Sequence, residues 1–383
     1  MREGWKEVKL GEITSMIKRG VSPKYVEEDG IVVINQKCVR SSKINFEEAR
    51  LTSKVKKISD EKYVKVGDVL VNSTGTGTLG RTGYVSYLHN QTTVDTHVTI
   101  VRSKNEIANS RFIGFVLSLY EPIIENLGKG ATNQIELSAK DLASLKINLP
   151  PLETQRKIAS ILSGYDDLIE NNLKRIKILE EMAQQTYEEW FVRMRFPGYE
   201  TAVMNEETGL PEGWEKVKLG EIYDLKYGKN LAQTDILKEG TFSVYGASGK
   251  MGYFTKSNIS SKKVLVTSRG NGSGVVHRTF EDESFVTNNS FVVNTELGLG
   301  YTFYNLKKFD LSRFNSGSAQ PQLTNSALLN VEIIRPNSQL INDFNLIVNN
   351  QIQFIDNLLN QNQRLREARD LLLPRLMMGI VEV

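Results

Sequence analysis

Residues 75–80, Gly75-Thr76-Gly77-Thr78-Leu79-Gly80, have the spacing G-x-G-x-x-G and follow an apolar run that ends at Val71. A dinucleotide-binding turn of that spacing must open a helix whose amino end holds the pyrophosphate. Here the glycines are followed by Arg81-Thr82-Gly83-Tyr84-Val85-Ser86-Tyr87, which reads as another strand, so they predict a β-hairpin and not a nucleotide site. The arrangement returns at Val264–Gly274, again with a strand-like continuation, Val275-Val276-His277. Two glycine-rich hairpins with polar tips, carrying Arg81 and Arg269, suit close approach to a phosphate backbone. Either one alone equally suits a tight turn with no ligand.

Other polar loops fall at matching places. Lys18-Arg19-Gly20 corresponds to Lys226-Tyr227-Gly228, and Lys129-Gly130-Ala131-Thr132-Asn133-Gln134 to Asn315-Ser316-Gly317-Ser318-Ala319-Gln320. Such side chains donate to phosphates, and Asn or Gln can read adenine edges. The basic run Lys54, Lys56, Lys57, Lys62 and Lys65 reads first as a solvated face. Catalytic signatures are missing: there is no G-x-x-x-x-G-K-[ST] loop, no H-E-x-x-H, no nucleophile elbow and no Asn-Pro-Pro-Tyr. His89, His97 and His277 are isolated, and with the single Cys38 they make neither a zinc set nor a disulfide.

The elements that must position these loops come in two copies. Trp5-Lys6-Glu7-Val8-Lys9-Leu10-Gly11-Glu12-Ile13 returns as Trp214-Glu215-Lys216-Val217-Lys218-Leu219-Gly220-Glu221-Ile222. Short runs rich in Val, Ile and Tyr predict strands at Ile31–Ile34, Asp68–Val71, Gly83–Tyr87, His97–Val101 and Leu145–Leu149. In the second half they fall at Lys263–Val266, Val275–His277, Ser290–Val293 and Asn330–Ile334, and Ser110–Leu119 predicts one helix. Residues 151–190 and 337–373 predict two long helices, with Leu168 matching Phe354 in the repeat. Their heptad faces are Leu162, Tyr165, Ile169, Asn172, Ile176 and Leu179, then Val348, Gln351, Ile355, Leu358, Asn362 and Leu365. A pseudo-twofold relation requires the helices to be antiparallel. Asn172 then either faces Asn362 in the seam, with Ile169 opposite Leu365 and Leu179 opposite Ile355, or both Asn residues face solvent.

The fold class is therefore α+β, a tandem repeat of β-rich domain and long helix. Its parts are a domain at 1–150, a helix at 151–190, a linker at 191–210, a domain at 211–336, and a helix with tail at 337–383. Divergent content in a repeated frame points to one scaffold presenting two binding surfaces. With 48 basic and 45 acidic residues the net charge is only +3, so any basic surface must be local. The polar amino terminus and the lack of a long apolar run predict a cytoplasmic protein with no membrane contact.

The paired openings EGWKEVKLGEI and PEGWEKVKLGEI, the helix start LPPLETQRKIASILSGYDDLIENN, and Trp190 through Gly198 are distinctive in combination. With Tyr245-Gly246-Ala247-Ser248-Gly249 and Leu373-Pro374-Arg375-Leu376-Met377, the chain resembles the DNA specificity (S) subunits of Type I restriction-modification systems over nearly its full length. It departs at Arg335-Pro336-Asn337-Ser338, which lacks the usual paired prolines and acidic start.

The resemblance implies two target recognition domains, each reading half of a split double-stranded DNA sequence. It also implies helices that separate them and bind two methyltransferase subunits, joined by two restriction/translocase subunits. Methyl donor and ATP would belong to those partners, leaving this chain non-catalytic with no cofactor or metal. Candidate DNA contacts in the first domain are Lys18, Arg19, Gln36, Lys37, Ser73, Thr74, Thr76, Arg81, Lys129, Thr132 and Gln134. In the second they are Lys226, Tyr227, Tyr245, Ser248, Lys250, Ser268, Arg269, Asn271, Ser316, Ser318 and Gln320. Alternatives are a specificity module of another restriction or methylation assembly, and a coiled-coil scaffold whose β-domains bind protein.

Overall fold

The computed structural model describes residues 4–55, 57–130, 135–247, 249–316 and 321–383. The chain divides into two compact units, Met1–Glu170 with Asn362–Val383, and Asn171–Gln361. Each unit holds one β-rich domain together with a stretch of both long helices.

In the first unit, the opening strand Lys6–Lys9 pairs antiparallel with Lys146–Leu149, placing Val8 opposite Ile147 and closing the domain on itself. An antiparallel sheet follows in the spatial order Thr14–Arg19, Val98–Ser103, Val69–Asn72, Thr82–Tyr84. Its central strands read Val-Leu-Val-Asn and Val-Thr-Ile-Val because both faces are covered, so the apolar run does not alternate. A second sheet orders Thr92–Val94, Gly30–Ile34, Arg50–Ser53 and Tyr25–Val26, with its first two strands parallel. The helix Ser110–Leu119 falls where its apolar spacing predicts, and the Asn109 side chain accepts from the Phe112 N–H at its start.

The second unit repeats the topology. Glu215–Lys218 pairs with Glu332–Arg335, and the sheet order is Asp224–Tyr227, Ser290–Asn294, Val264–Thr267, Val276–Arg278. Its second sheet again has a parallel pair, Phe242–Gly246 beside Glu283–Val286. Neither parallel pair is visible in the sequence, since local periodicity does not reveal which distant strand becomes the neighbour.

The long helices run Leu152–Tyr187, continued by a π turn at Glu188–Val192, and Ser338–Met377. Within the first unit Asn362 Nδ2 donates to the Ile169 carbonyl at 3.5 Å, and Arg369 reaches Asp166 at 2.6 Å. Within the second, Asn172 Nδ2 donates to Gln361 Oε1 at 3.5 Å, and the Tyr187 and Phe344 rings lie 5.9 Å apart. Partners fall in number along one helix as they rise along the other, so the helices are antiparallel in both units. Of the heptad faces, Tyr165, Leu179, Gln351 and Leu365 are half-buried and the other positions are buried. Asn172 and Asn362 are 7 % and 0 % exposed, which removes the solvent-facing alternative.

The helices are not a separate body. Ile158, Leu162, Leu376 and Met377 pack in the same core as Val69, Val101, Phe112 and Leu117. The linker 191–210 is anchored at both ends: Phe191 and Leu210, with Trp214 just beyond it, are buried with Tyr301, Tyr304 and Phe344. The second helix starts without paired prolines because Asn337 Oδ1 accepts from the Leu340 N–H at 2.9 Å and caps the first turn.

Candidate nucleic-acid interface

The described parts of four polar loops converge at one end of each domain, held by matching hydrogen bonds in both. The strand Thr14–Arg19 delivers Lys18 and Arg19 to the sheet end, where the chain passes directly over another strand at Gly20. A Cβ there would lie 1.8 Å from the Val94 carbonyl oxygen. Gly228, after Lys226 and Tyr227, is constrained alike: a Cβ would lie 2.4 Å from the Val286 and Thr287 oxygens. Only glycine fits such a crossing.

The hairpins are anchored by a buried serine. The Ser73 N–H donates to the His97 carbonyl and its own carbonyl accepts from Leu137, both at 2.8 Å. Ser268 makes the counterpart pair, to the Asn289 carbonyl and from Leu323, also at 2.8 Å. One residue earlier, Asn72 Nδ2 donates to the Gln36 carbonyl at 3.0 Å, and Thr267 Oγ1 to the Ala247 carbonyl at 2.9 Å. The G-x-G-x-x-G stretch is thus a hairpin tip between antiparallel strands, with Gly75, Gly77 and Gly80 at φ of 96°, 72° and 85°. It opens no helix, so its N–H groups are not arranged around a pyrophosphate.

Exposed on these loops are Lys18, Lys37, Thr76 and Lys129 in the first domain, and Lys226, Tyr227, Lys250, Arg269, Asn271 and Ser316 in the second. Arg19, Gln36 and Thr74 are half-buried; Thr74 Oγ1 lies 2.7 Å from His97 Nδ1 and Gln36 Oε1 lies 3.4 Å from Thr78 Oγ1. Three candidates cannot present their side chains to a ligand. Ser73 and Ser268 are fully buried, with Ser73 Oγ 2.5 Å from Thr99 Oγ1. Tyr245 is buried and donates to Glu281 at 2.6 Å. They form the floor beneath the loops. Arg81 is half-buried and lines a groove with the hairpin-tip Gly77 and with Glu121 and Glu125. Thr132, Gln134, Ser248, Ser318 and Gln320, like Lys56 of the basic run, lie outside the described residues.

The surface cations are held by carboxylates, most of which sequence spacing does not reveal; Asp224, two residues before Lys226, is an exception. Lys18 pairs with Glu61 at 2.7 Å, Arg19 with Glu136, Lys129 with Asp141 at 2.8 Å, Lys226 with Asp224 at 3.0 Å and Lys250 with Glu281 at 3.4 Å. Hydrogen bonds from Lys18 and Lys129 hold the Glu61 and Asp141 carboxyls below their ordinary range. Lys62, from the run read as a solvated face, donates to the Gly20 carbonyl at 2.8 Å and joins the site.

Neither Cys38 nor His277 is poised for group transfer. Burial pushes the Cys38 thiol up to about 11, so it stays protonated, and burial lowers His277, which stays neutral. Among the described residues no group of His, Cys, Asp and Glu could hold a metal ion, and no helix is long and apolar enough to cross a membrane. Donors and cations on loop tips, set on a rigid floor, are what phosphate and base-edge contact requires.

The duplicated geometry has a counterpart among known proteins. The model of the Type I restriction modification DNA specificity domain matches residues 2–181 and again 211–363. The chain belongs to this family. It is 26 % identical over 362 residues to the Type I restriction enzyme MjaIX specificity subunit of Methanocaldococcus jannaschii, covering 88 % of this chain and 82 % of that one. The HindI specificity subunit of Haemophilus influenzae is 24 % identical over 472 residues, covering 98 % and 99 %. The crystal structure of a Type I restriction-modification S subunit from M. genitalium shares the fold, with a TM-score of 0.65 at 19 % identity over 97 % of this chain and 96 % of that one. Each of the two matched segments spans one β-rich domain and part of the long helix that follows it.

Proposed function

We propose that this chain is the non-catalytic DNA-recognition subunit of a Type I restriction-modification complex in the cytoplasm, each β-rich domain reading one half of a bipartite double-stranded target. The observation that carries the reading is the duplicated convergence of polar loops, in which one scaffold presents two differently populated faces. Arg269, exposed on its hairpin tip, is assigned to a phosphate. Arg269→Ala is then expected to weaken binding uniformly across duplex sequences and to lower the slope of log K against log salt by about one. Anisotropy titrations at several salt concentrations measure both. Unchanged affinity and slope would remove Arg269 from the interface.

A second repeated feature supports the scaffolding role. Ile161 and Leu168 on the first helix are 39 % and 54 % exposed, and their repeat equivalents Ile347 and Phe354 are 43 % and 42 % exposed. An outward apolar pair in the same place of each repeat suits two copies of one partner, which we assign to two methyltransferase subunits, joined in turn by two restriction/translocase subunits. Leu168→Asp and Phe354→Asp are each expected to reduce the methyltransferase count on the chain from two to one, read by native mass spectrometry. Two subunits retained on both variants would place the docking surface elsewhere.

A further inference from the structure

The cations at the end of the first domain's strand Thr14–Arg19 pair with residues far away in sequence. Lys18 and Glu61 are 43 residues apart and Arg19 and Glu136 are 117 apart, so the fold brings these carboxylates to the cations. Glu136 is fixed in place: its N–H and carbonyl exchange hydrogen bonds with Lys129 at 2.9 Å, and Thr74 bridges it on the hairpin side. Arg19 is held again by the Leu137 carbonyl at 2.6 Å. Lys18, Arg19, Lys62 and Lys129 line one open groove of about 660 Å³, and Glu136 and Asp141 line it with them. In the second domain Lys250 pairs with Glu281, 31 residues away, while Lys226 pairs with its near neighbour Asp224.

A face meant only to attract phosphates gains nothing from anions planted beside its cations. We infer that Glu61, Glu136 and Asp141 are built-in competitors of the DNA backbone: they hold the cations in the free chain and yield them to phosphates on binding. The inference rests on the DNA-recognition reading above and adds to it what sets the baseline affinity of the face. Exposed ion pairs are weak, so exchange for a phosphate is cheap, yet every binding event bears the cost. Because a genome offers a large excess of non-cognate duplex, lowering the baseline keeps the chain from being held there. Each carboxylate released also takes up a cation from solution, which offsets part of the counterion release from DNA and flattens the salt dependence.

The test uses the full chain and a fluorescent duplex of arbitrary sequence. The variant is E61Q/E136Q, with E61Q alone as the milder form. E200Q/E206Q is the control: it removes the same charge from exposed residues between the domains. We expect E61Q/E136Q to bind about fivefold tighter than wild type at moderate salt, with a steeper log–log salt slope. The tightening should be equal for different sequences, and E61Q alone should give part of it. Equal or weaker binding overturns the inference while leaving DNA recognition standing, as does equal tightening by E200Q/E206Q, which would mean bulk charge alone. If the wild-type chain shows no salt-dependent duplex binding, the DNA reading itself falls, and this inference with it.

Discussion

Asp356→Ala is expected to destabilise the second unit by about 3–5 kcal/mol, the cost of leaving a buried charge without its partner. Asp356 is 6 % exposed and takes two cations from the β-rich domain, Arg278 Nη2 at 2.6 Å and Lys262 Nζ at 2.9 Å. The Arg278 side chain is itself only 8 % exposed, lying over the Phe280 ring at 4.9 Å, and has no route to solvent once the carboxylate is gone. Asp166 does the same for the first unit, taking Arg111 at 2.7 Å and Arg369 at 2.6 Å, but those cations are 24 % and 26 % exposed. Water compensates them in part, so Asp166→Ala should cost less, about 1.5–3 kcal/mol. Urea denaturation followed by tryptophan fluorescence of a Trp5→Phe background resolves the second unit, which holds Trp190 and Trp214. Replacing the whole trio, Asp356→Leu with Arg278→Met and Lys262→Met, should recover most of the loss, since apolar residues of similar size need no counter-charge. An Asp356→Ala chain within about 1 kcal/mol of wild type would show the trio to be better solvated than its burial indicates.

That carboxylate marks where sequence reading stops. The tandem repeat, the Ser110–Leu119 helix and the valine-rich central strands are legible because each is a local pattern: a copied segment, a 3.6-residue period, a β-branched run. The long helices are legible for the same reason, and so are Ile169, Ile355 and Leu358 as buried positions on them. What each helix packs against is not. Leu376 and Met377 read as a tail after Pro374, yet they are 1 % and 6 % exposed in the first domain's core, because a periodic face does not name its partner. The candidate site divides similarly. Glycines, lysines and polar loops announce themselves, whereas Ser73, Ser268 and Tyr245 share their composition and lie beneath the surface. Glu61 and Glu136 carry no local signal, since only the fold brings them to Lys18 and Arg19.

Exchanging residues 211–336 for the corresponding domain of another specificity subunit is expected to change one half-site and leave the other unaltered. The physical basis is closure. Glu215–Lys218 pairs with Glu332–Arg335, Glu215 faces Arg335 across the ladder, and the two cut points therefore lie side by side. A graft with the same closing strands adds no loop to close and leaves the long helices continuous. It must keep the contacts facing the second helix. Gly298 and Gly300 would place a Cβ 2.5 Å from Asn345 Nδ2 and 2.9 Å from Asn349 Oδ1, and the incoming domain must match Arg278 and Lys262 against Asp356. Each mismatched base pair costs about 1–3 kcal/mol. The hybrid should therefore lose at least about thirtyfold in affinity for the original target if two pairs change, and regain it on a target carrying the new half-site. Selection of bound duplexes from a randomised pool, with wild type and hybrid in parallel, reads both halves at once. A hybrid that shifts the first half-site as well would mean that the domains do not read independently. A hybrid lacking the Asp356 partners should instead fail by unfolding, a loss across all sequences that the same selection separates from a change of specificity.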